Sequence, residues 1–287
     1  MLFKANDILK SLLPGNLFPT KRTREILSIN PTIETERKDA IKSEISYYHY
    51  TPEEVLVKKD LSIEDLTTLK SNNGVSWINI DGIIKKEIES LCAHFDVHYL
   101  IAEDILSIGQ RPKTDEVDMV YYCLLNMLYF NKEKRVVEAE QISLILGDSF
   151  IISIQEEAER DVFNPIRIRL QAQKSQLRHR GADYLLYSMI DLIVDNYFLV
   201  MESLGEEIEQ LEEEVTRRSN KRSLARINQL RKELIVLKRN IAPVRDLIGS
   251  VLRSESDLLN ESTTKYFKDV YDHIVQAYDL CENYRDV

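Results

Sequence analysis

Two runs of apolar residues that repeat every seven positions constrain the fold of this chain more than any other feature. The first run passes through Ile190, Val194, Tyr197, Met201, Leu204, Ile208, Leu211 and Val215. The second passes through Ile227, Leu230, Leu234, Leu237, Ile241, Val244, Ile248 and Val251. Such a repeat is typical of a coiled coil or a long helical hairpin. We therefore predict that residues 166–287 are helical, with a last helix beginning near Thr263. Pro243 is expected to kink or interrupt the second helix.

The charges of the two predicted helices are opposed. Residues 202–216 contain seven Glu and no Lys or Arg, whereas residues 217–245 contain ten basic residues and one acid, Glu233. A turn near Ser219-Asn220 would lay the acidic arm against the basic one, which favours antiparallel pairing. Each exposed ion pair adds only about 0.2–1 kcal/mol, so the apolar seams are expected to supply most of the stability.

The first half of the chain has a different pattern. Residues 1–45 are mixed and polar and are interrupted by prolines, which predicts a loose N-terminal arm with one strand at most. A β-prone run at 76–80 ends at the turn signal Asp81-Gly82, and an amphipathic helix is predicted at 86–95. Three further apolar stretches are separated by charged turns and predict an antiparallel meander: 119–130, 140–146 and 150–154. Residues 46–165 are therefore predicted to form an α/β domain.

Composition excludes several classes of function. The formal net charge of −10, from 38 basic and 48 acidic residues, repels phosphate backbones and argues against nucleic acid as a partner. The three cysteines lie far apart and form no CxxC pair, which fits a reducing compartment without disulfides. No Gly-x-Ser-x-Gly motif, Walker-type loop or dinucleotide fingerprint is present, so we do not predict an enzyme.

The sequence does not predict a membrane-spanning helix. The most apolar run, at 184–201, is interrupted by Asp191 and Asp195, and a spanning helix needs about 20 mostly apolar residues. The last residues, 284–287, continue a predicted helix without a Gly, a Pro or a polar tail. We therefore expect this chain to be a soluble fragment of a longer protein.

Several acidic residues are candidate metal ligands, although each also has a plain structural interpretation. Asp269 and His273 are four residues apart on one face of a predicted helix, where they can share a cation or bond to each other. Asp191 and Asp195 interrupt an apolar helix at the same spacing, and buried carboxylates need a metal or a basic partner. Glu103-Asp104 precedes an apolar pair and could equally be a solvated helix face.

A histidine pair gives a weaker signal. His94 and His98 are also four residues apart, but position 95 is Phe95 and not Glu, so the metalloprotease motif fails. We do not predict zinc at this pair.

Five strings, in this order, resemble the CorA family of magnesium and cobalt channels. They are WINIDG at 77–82, EDIL at 103–106 with QRPK at 110–113, EQISLIL at 140–146, ADYLLY at 182–187 with Ile190-Asp191, and YFKDVYDH at 266–273. The resemblance covers roughly residues 46–287. Where the family usually has His-Pro before the Glu-Asp pair, this chain has His98-Tyr99, a departure that affects no metal ligand.

The resemblance implies a fold and a role for particular residues. The cytoplasmic region of that family is an α/β/α sandwich with a mixed sheet, followed by a long helical hairpin and a stalk helix that continues into the membrane. Asp104 and Asp269 correspond to a regulatory Mg²⁺ site between neighbouring subunits of a homopentamer. Glu103, Asp191 and His273 correspond to positions near a second metal site.

The implied function is gating by cytoplasmic Mg²⁺, with Co²⁺ or other divalent cations as further ligands. The parent protein would lie at the cytoplasmic face of the inner membrane and contact the membrane only through C-terminal helices that this chain lacks. Mg²⁺ at the subunit boundary would close the pore, and its loss would let the carboxylates repel and the pore open. The same scaffold in a zinc transporter is the alternative. A metal-dependent enzyme and a soluble coiled-coil scaffold are more distant ones.

Overall fold

The computed structural model describes residues 37–69, 73–217 and 221–286. In chain order their strands and α-helices are β1 (Glu44–Tyr50), β2 (Val55–Lys58), α1 (Ile63–Thr68), β3 (Val75–Asp81), α2 (Lys85–His94), α3 (Tyr99–Leu106), β4 (Lys113–Val117), β5 (Val120–Asn131), β6 (Val136–Leu146), β7 (Phe150–Gln155), α4 (Asn164–Gln171), α5 (Ala182–Arg217), α6 (Lys221–Val251) and α7 (Glu261–Asp286). Two short 3₁₀ helices, Ala158–Arg160 and Gln176–His179, flank α4.

The strands form one mixed sheet with the order β2-β1-β3-β7-β6-β5-β4. Strands β3 and β7 pair in parallel, and the other neighbours pair antiparallel. The meander β5-β6-β7 confirms the antiparallel prediction. Every residue of β3 is buried, as expected for a central strand with helices on both faces of the sheet.

Helices cover the two faces of this sheet. On one face, apolar side chains of α1, α2 and α3 pack against the sheet, among them Ile88, Leu91 and Ile105. On the other face α5 and α6 contact β5 and β6. There the Tyr197 hydroxyl donates to the Asn126 carbonyl at 2.7 Å. The α/β/α sandwich followed by long helices is thereby confirmed.

The long helices α5 and α6 pair antiparallel, as their charges predict. The Arg226 guanidinium reaches two glutamates of α5, at 3.3 Å from Glu207 and 2.5 Å from Glu214. Glu233, the single acid of the basic arm, is buried and accepts a hydrogen bond from the Val137 backbone at 2.8 Å. The predicted turn at Ser219-Asn220 falls outside the described residues.

The two seams are buried along most of their length but not near the turn, where Val215 is 37% exposed and Ile227 43% exposed. A third helix shares the interface, because α7 contacts both α5 and α6. Its buried residues also alternate at spacings of three and four: Phe267, Val270, Ile274, Ala277 and Cys281. The seams therefore belong to a three-helix arrangement and do not pack only on each other.

Of the two outcomes predicted at Pro243, an interruption does not occur, because α6 is one continuous helix from Lys221 to Val251, and the kink stays a prediction. Proline removes one backbone hydrogen bond from a helix. Here the apolar neighbours Ile241 and Val244 are fully buried, and their packing holds the helix together across the missing bond.

One strand begins earlier than predicted, and another begins before the predicted limit of the α/β domain. Strand β6 starts at Val136 and not at residue 140, because its first residues, Val136 to Ala139, pair with the end of β5. Strand β1 starts at Glu44, two residues before the predicted α/β domain. Gly82 has a φ of 95° and confirms the predicted turn after β3. The domain limits themselves stay a prediction.

Among the described residues one helix, α5, contains an 18-residue stretch that is long and apolar enough to cross a membrane by composition. In the fold, 61% of that stretch is buried. Core helices of globular proteins have the same property, so this helix by itself is weak evidence for a membrane span.

Candidate metal centre

Helices α5 and α7 bring three potential metal ligands together. Asp191 and Asp195 lie one turn apart on α5, and His273 faces them from α7. One ligand atom from each residue lies within 4.8 Å of the others. The Nδ1 atom of His273 is 4.0 Å from Oδ1 of Asp195. The sequence places these residues about eighty positions apart, and the packing of α7 on α5 makes them neighbours.

The electrostatics of this group favour a cation. Burial raises the pKa of the Asp191 carboxyl, as does the nearby Asp195 carboxylate, whereas His273 opposes the shift. The Tyr187 hydroxyl is 3.5 Å from Oδ2 of Asp191. The Nδ1 atom of His273 is buried and has no hydrogen-bond partner among the described residues. A bound cation would relieve the repulsion between the carboxylates and supply a partner for the imidazole.

The donor set fits a divalent cation. Carboxylate oxygens suit Mg²⁺, which keeps several waters and takes one or two protein carboxylates. An imidazole nitrogen is a better ligand for transition metals such as Co²⁺ or Zn²⁺. The group therefore accommodates a hard cation through its oxygens and a softer one through His273 as well.

Asp269 lies beside this group and is exposed over 71% of its side chain. Its Oδ2 atom is 4.0 Å from Nε2 of His273, so the imidazole stands between Asp269 and the carboxylates of α5. The negative charge of Asp269 contributes to the raised pKa of Asp191. This carboxylate is therefore open to solvent.

Asp104 lies on α3 and already has a cationic partner. Its Oδ2 atom is 2.6 Å from Nζ of Lys113, the first residue of β4. Its backbone carbonyl accepts a hydrogen bond from the Gln141 side chain at 3.2 Å, which fixes the end of α3 to the sheet. Glu103, the neighbouring residue, is exposed. Neither acid belongs to a group of three or more potential ligands within the described ranges.

The structure thus brings Asp191 and His273 together and leaves Glu103 and Asp104 on a separate helix. Asp195 completes the group, although the resemblance did not include it among the site residues. The spacing of Asp195 to Asp191 in an apolar helix was the sequence signal that could have added it.

The His94 and His98 pair has other roles: the ring of His94 packs edge-on against Phe95, and His98 caps α3 by accepting from the Leu100 backbone at 3.3 Å.

Comparison with known proteins extends these observations. The profile of the family described as "CorA-like Mg2+ transporter protein" matches residues 72–287. Over 279 residues the chain is 35% identical to the cobalt/magnesium transport protein CorA of Thermotoga maritima, covering 97% of this chain and 75% of that protein. It is 28% identical over 211 residues to the putative metal ion transporter YfjQ of Bacillus subtilis, covering 74% of this chain and 64% of that protein.

Solved structures share the fold. The soluble domain of CorA from Methanocaldococcus jannaschii aligns with a TM-score of 0.69 at 17% identity, over 87% of this chain and 94% of that one. The cytoplasmic domain of ZntB from Vibrio parahaemolyticus aligns with a TM-score of 0.63 at 18% identity, over 83% of this chain and 91% of that one.

Sequence and fold together define a protein of the divalent-metal-ion transporter class. Because the family profile covers most of the chain and the Thermotoga relative is similar over almost all of it, the chain belongs to the CorA family of Mg²⁺ transporters.

Proposed function

We propose that this chain is the cytoplasmic sensing and gating domain of a CorA-type magnesium and cobalt channel, located at the cytoplasmic face of the inner membrane. The observation that carries the proposal is the convergence of Asp191, Asp195 and His273 beside the exposed Asp269. The relatives named above are cobalt/magnesium or metal ion transporters and are longer than this chain. The conducting pore would belong to a further membrane segment of the full-length protein.

The proposed sensor joins identical subunits of a homopentamer. Asp104 of one subunit would face Asp269 of the next, with Glu103, Asp191 and His273 forming the surroundings of a second site. Two features support an arrangement between subunits: Asp269 is open to solvent, and Asp104 lies on α3, away from the ligand group of α5 and α7. When bound, Mg²⁺ would supply the positive charge that allows two carboxylates to share one boundary.

Gating would follow from the charges of the chain itself. Two like unit charges about 4 Å apart repel by up to about 4 kcal/mol at an effective dielectric constant near 20. Asp104 and Asp269 of neighbouring subunits would therefore push the boundary apart when cytoplasmic Mg²⁺ is low, which opens the pore. At high Mg²⁺ the subunits would remain in a symmetric closed state.

One observation favours a second candidate for the cation that is sensed. His273 offers an imidazole nitrogen, a ligand that suits Zn²⁺ better than Mg²⁺, and the ZntB cytoplasmic domain has the same fold. A zinc transporter built on this scaffold is the runner-up. Calorimetric titration of the protein with MgCl₂ and with ZnCl₂ distinguishes the two, because a zinc sensor would bind Zn²⁺ at concentrations where Mg²⁺ does not bind.

The test of the gating proposal is ion flux through the full-length protein in liposomes while internal Mg²⁺ is varied. Asp269→Asn should remain assembled yet lose inhibition by internal Mg²⁺. The double variant with Asp104→Asn should also remain assembled and should lose more of that inhibition. Asp279→Asn, an exposed aspartate on the same helix, is the matched control and should keep the normal response. If the double variant keeps the wild-type inhibition curve, these aspartates are not the sensor. An enzyme would instead lose turnover, and a scaffold would show no metal response.

A further inference from the structure

Lys113 lies between two carboxylates. Its Nζ atom is 2.6 Å from Oδ2 of Asp104 and 3.4 Å from Oδ2 of Asp115. Lys113 and Asp115 are two positions apart on β4, so their side chains project from the same face of the strand. Asp104 reaches the same ammonium group from α3. One ammonium group of the chain is therefore paired with two carboxylates at the same time.

The two partners differ in exposure. The Asp104 side chain is 18% exposed, that of Lys113 37% and that of Asp115 47%. The shorter contact is with the more buried carboxylate, where an ion pair is screened less by water. A small movement of the lysine toward Asp115 would expose the Asp104 carboxylate and keep the ammonium group paired.

This ion pair competes directly with a metal ion. An ammonium group at 2.6 Å occupies an oxygen lone pair and supplies positive charge where Mg²⁺ would bind. A divalent cation that uses the same carboxylate has to displace the lysine or share the carboxylate with it. Displacement costs the interaction with Asp104, and the interaction with Asp115 offsets part of that cost.

We propose that Lys113 is a built-in competitor of the metal at Asp104, which moves to Asp115 when a divalent cation binds and so sets the concentration at which the sensor responds. This inference rests on the proposed sensor role of Asp104. The ion pair of Lys113 with Asp104 also changes the charge of the subunit boundary when no metal is bound. With Lys113 on Asp104, the empty boundary carries less negative charge than two bare carboxylates would, so the repulsion described above is an upper limit.

The proposal predicts opposite effects for the two neighbours of Asp104. Lys113→Met keeps an unbranched chain of similar length and removes the competing charge, so Mg²⁺ should bind about two- to fivefold more tightly. Asp115→Asn removes the alternative partner and leaves the lysine on Asp104, so Mg²⁺ should bind more weakly by about the same factor. Lys113→Arg keeps a cation at this position and should bind Mg²⁺ with an affinity near that of the wild type.

The measurement is the dissociation constant for MgCl₂, obtained by calorimetry on the assembled full-length protein. Circular dichroism and sedimentation verify that each variant is folded and assembled. Asp104→Asn provides the reference, because in that background Lys113→Met should change nothing. If Asp104→Asn leaves Mg²⁺ binding unaltered, the proposed sensor role of Asp104 fails. If Asp104→Asn weakens binding but Lys113→Met does not tighten it, or Asp115→Asn does not weaken it, only the competitor role of Lys113 fails.

Discussion

At the scale of single residues, Asp81 is a buried carboxyl group at the end of a central strand. It ends β3 opposite Gln155, the last residue of the parallel neighbour β7. Its carboxylate accepts hydrogen bonds from Asn79 at 2.8 Å and from Gln155 at 2.7 Å. Burial and the nearby Asp161 raise the pKa of Asp81 from 3.8 to about 7, although Gln155, Arg167 and Asn79 oppose the shift.

A raised pKa makes the stability of the protein depend on pH. Because the folded protein binds a proton more tightly than the unfolded chain, the contribution of protonated Asp81 is fully present below about pH 4 and lost as the pH rises through 7. From pH 5 to pH 8 this loss amounts to roughly 2–3 kcal/mol. Asp81→Asn should flatten the pH dependence of the unfolding free energy, measured by urea denaturation, by that amount. Asp279→Asn should leave this pH dependence unchanged. Equal pH dependences of the unfolding free energy for the wild type and for Asp81→Asn would contradict the raised pKa of Asp81.

At the scale of elements, the long helices derive their stability from the seams more than from their charges. Leu211 on α5 and Leu234 on α6 are 6% and 7% exposed. Nearer the turn the same seams are open to solvent, and there the ion pairs of Arg226 join α5 to α6. Such partly exposed pairs contribute little individually.

Truncation of a buried seam residue should therefore destabilise the protein much more than truncation near the turn. Leu211→Ala and Leu234→Ala should each lower the free energy of unfolding by about 2–5 kcal/mol, because each leaves a cavity. Leu224→Ala provides the matched control, since Leu224 is 60% exposed, and should change it by less than about 0.5 kcal/mol. Chemical denaturation measures all three. Losses at Leu211 and Leu234 no larger than at Leu224 would mean that the seam is not buried in solution.

At the scale of the whole molecule, the proposed sensor requires more than one chain. Within the described residues one chain supplies the ligand group of α5 and α7, while Asp104 stands apart on α3 and is held by Lys113. Metal binding at Asp104 and Asp269 should therefore be linked to assembly, and the assembled form should gain more stability from Mg²⁺ than a monomer does.

The expected gain follows from mass action. A ligand at a hundredfold excess over its dissociation constant stabilises the state that binds it by about 2.7 kcal/mol. Thermal unfolding of an assembled sample should shift upward with millimolar Mg²⁺, and the shift should largely disappear in the variant with both Asp104→Asn and Asp269→Asn. Sedimentation establishes the assembly state in each sample. The absence of a shift in an assembled wild-type sample would count against the sensor role.

The sequence alone determined the features that depend on local pattern. The seven-residue repeats predicted α5 and α6, because the side chains of one helix face recur at that spacing. Alternation of apolar runs and turns predicted β3, β5 and β7, and the charges of residues 202–245 predicted the antiparallel pairing of the long helices. The order of the five strings that resemble the CorA family added the mixed sheet, which no local pattern specifies.

Tertiary structure decided which distant residues meet. The parallel pairing of β3 with β7 joins segments about seventy residues apart, and strand register depends on the whole core and not on either strand. Asp195 became part of the ligand group only because α7 packs on α5. The contact of Lys113 with Asp104 depends in the same way on α3 packing against the sheet. A sequence identifies the charged groups of a site, but their electrostatic interaction depends on distances that only the folded chain fixes.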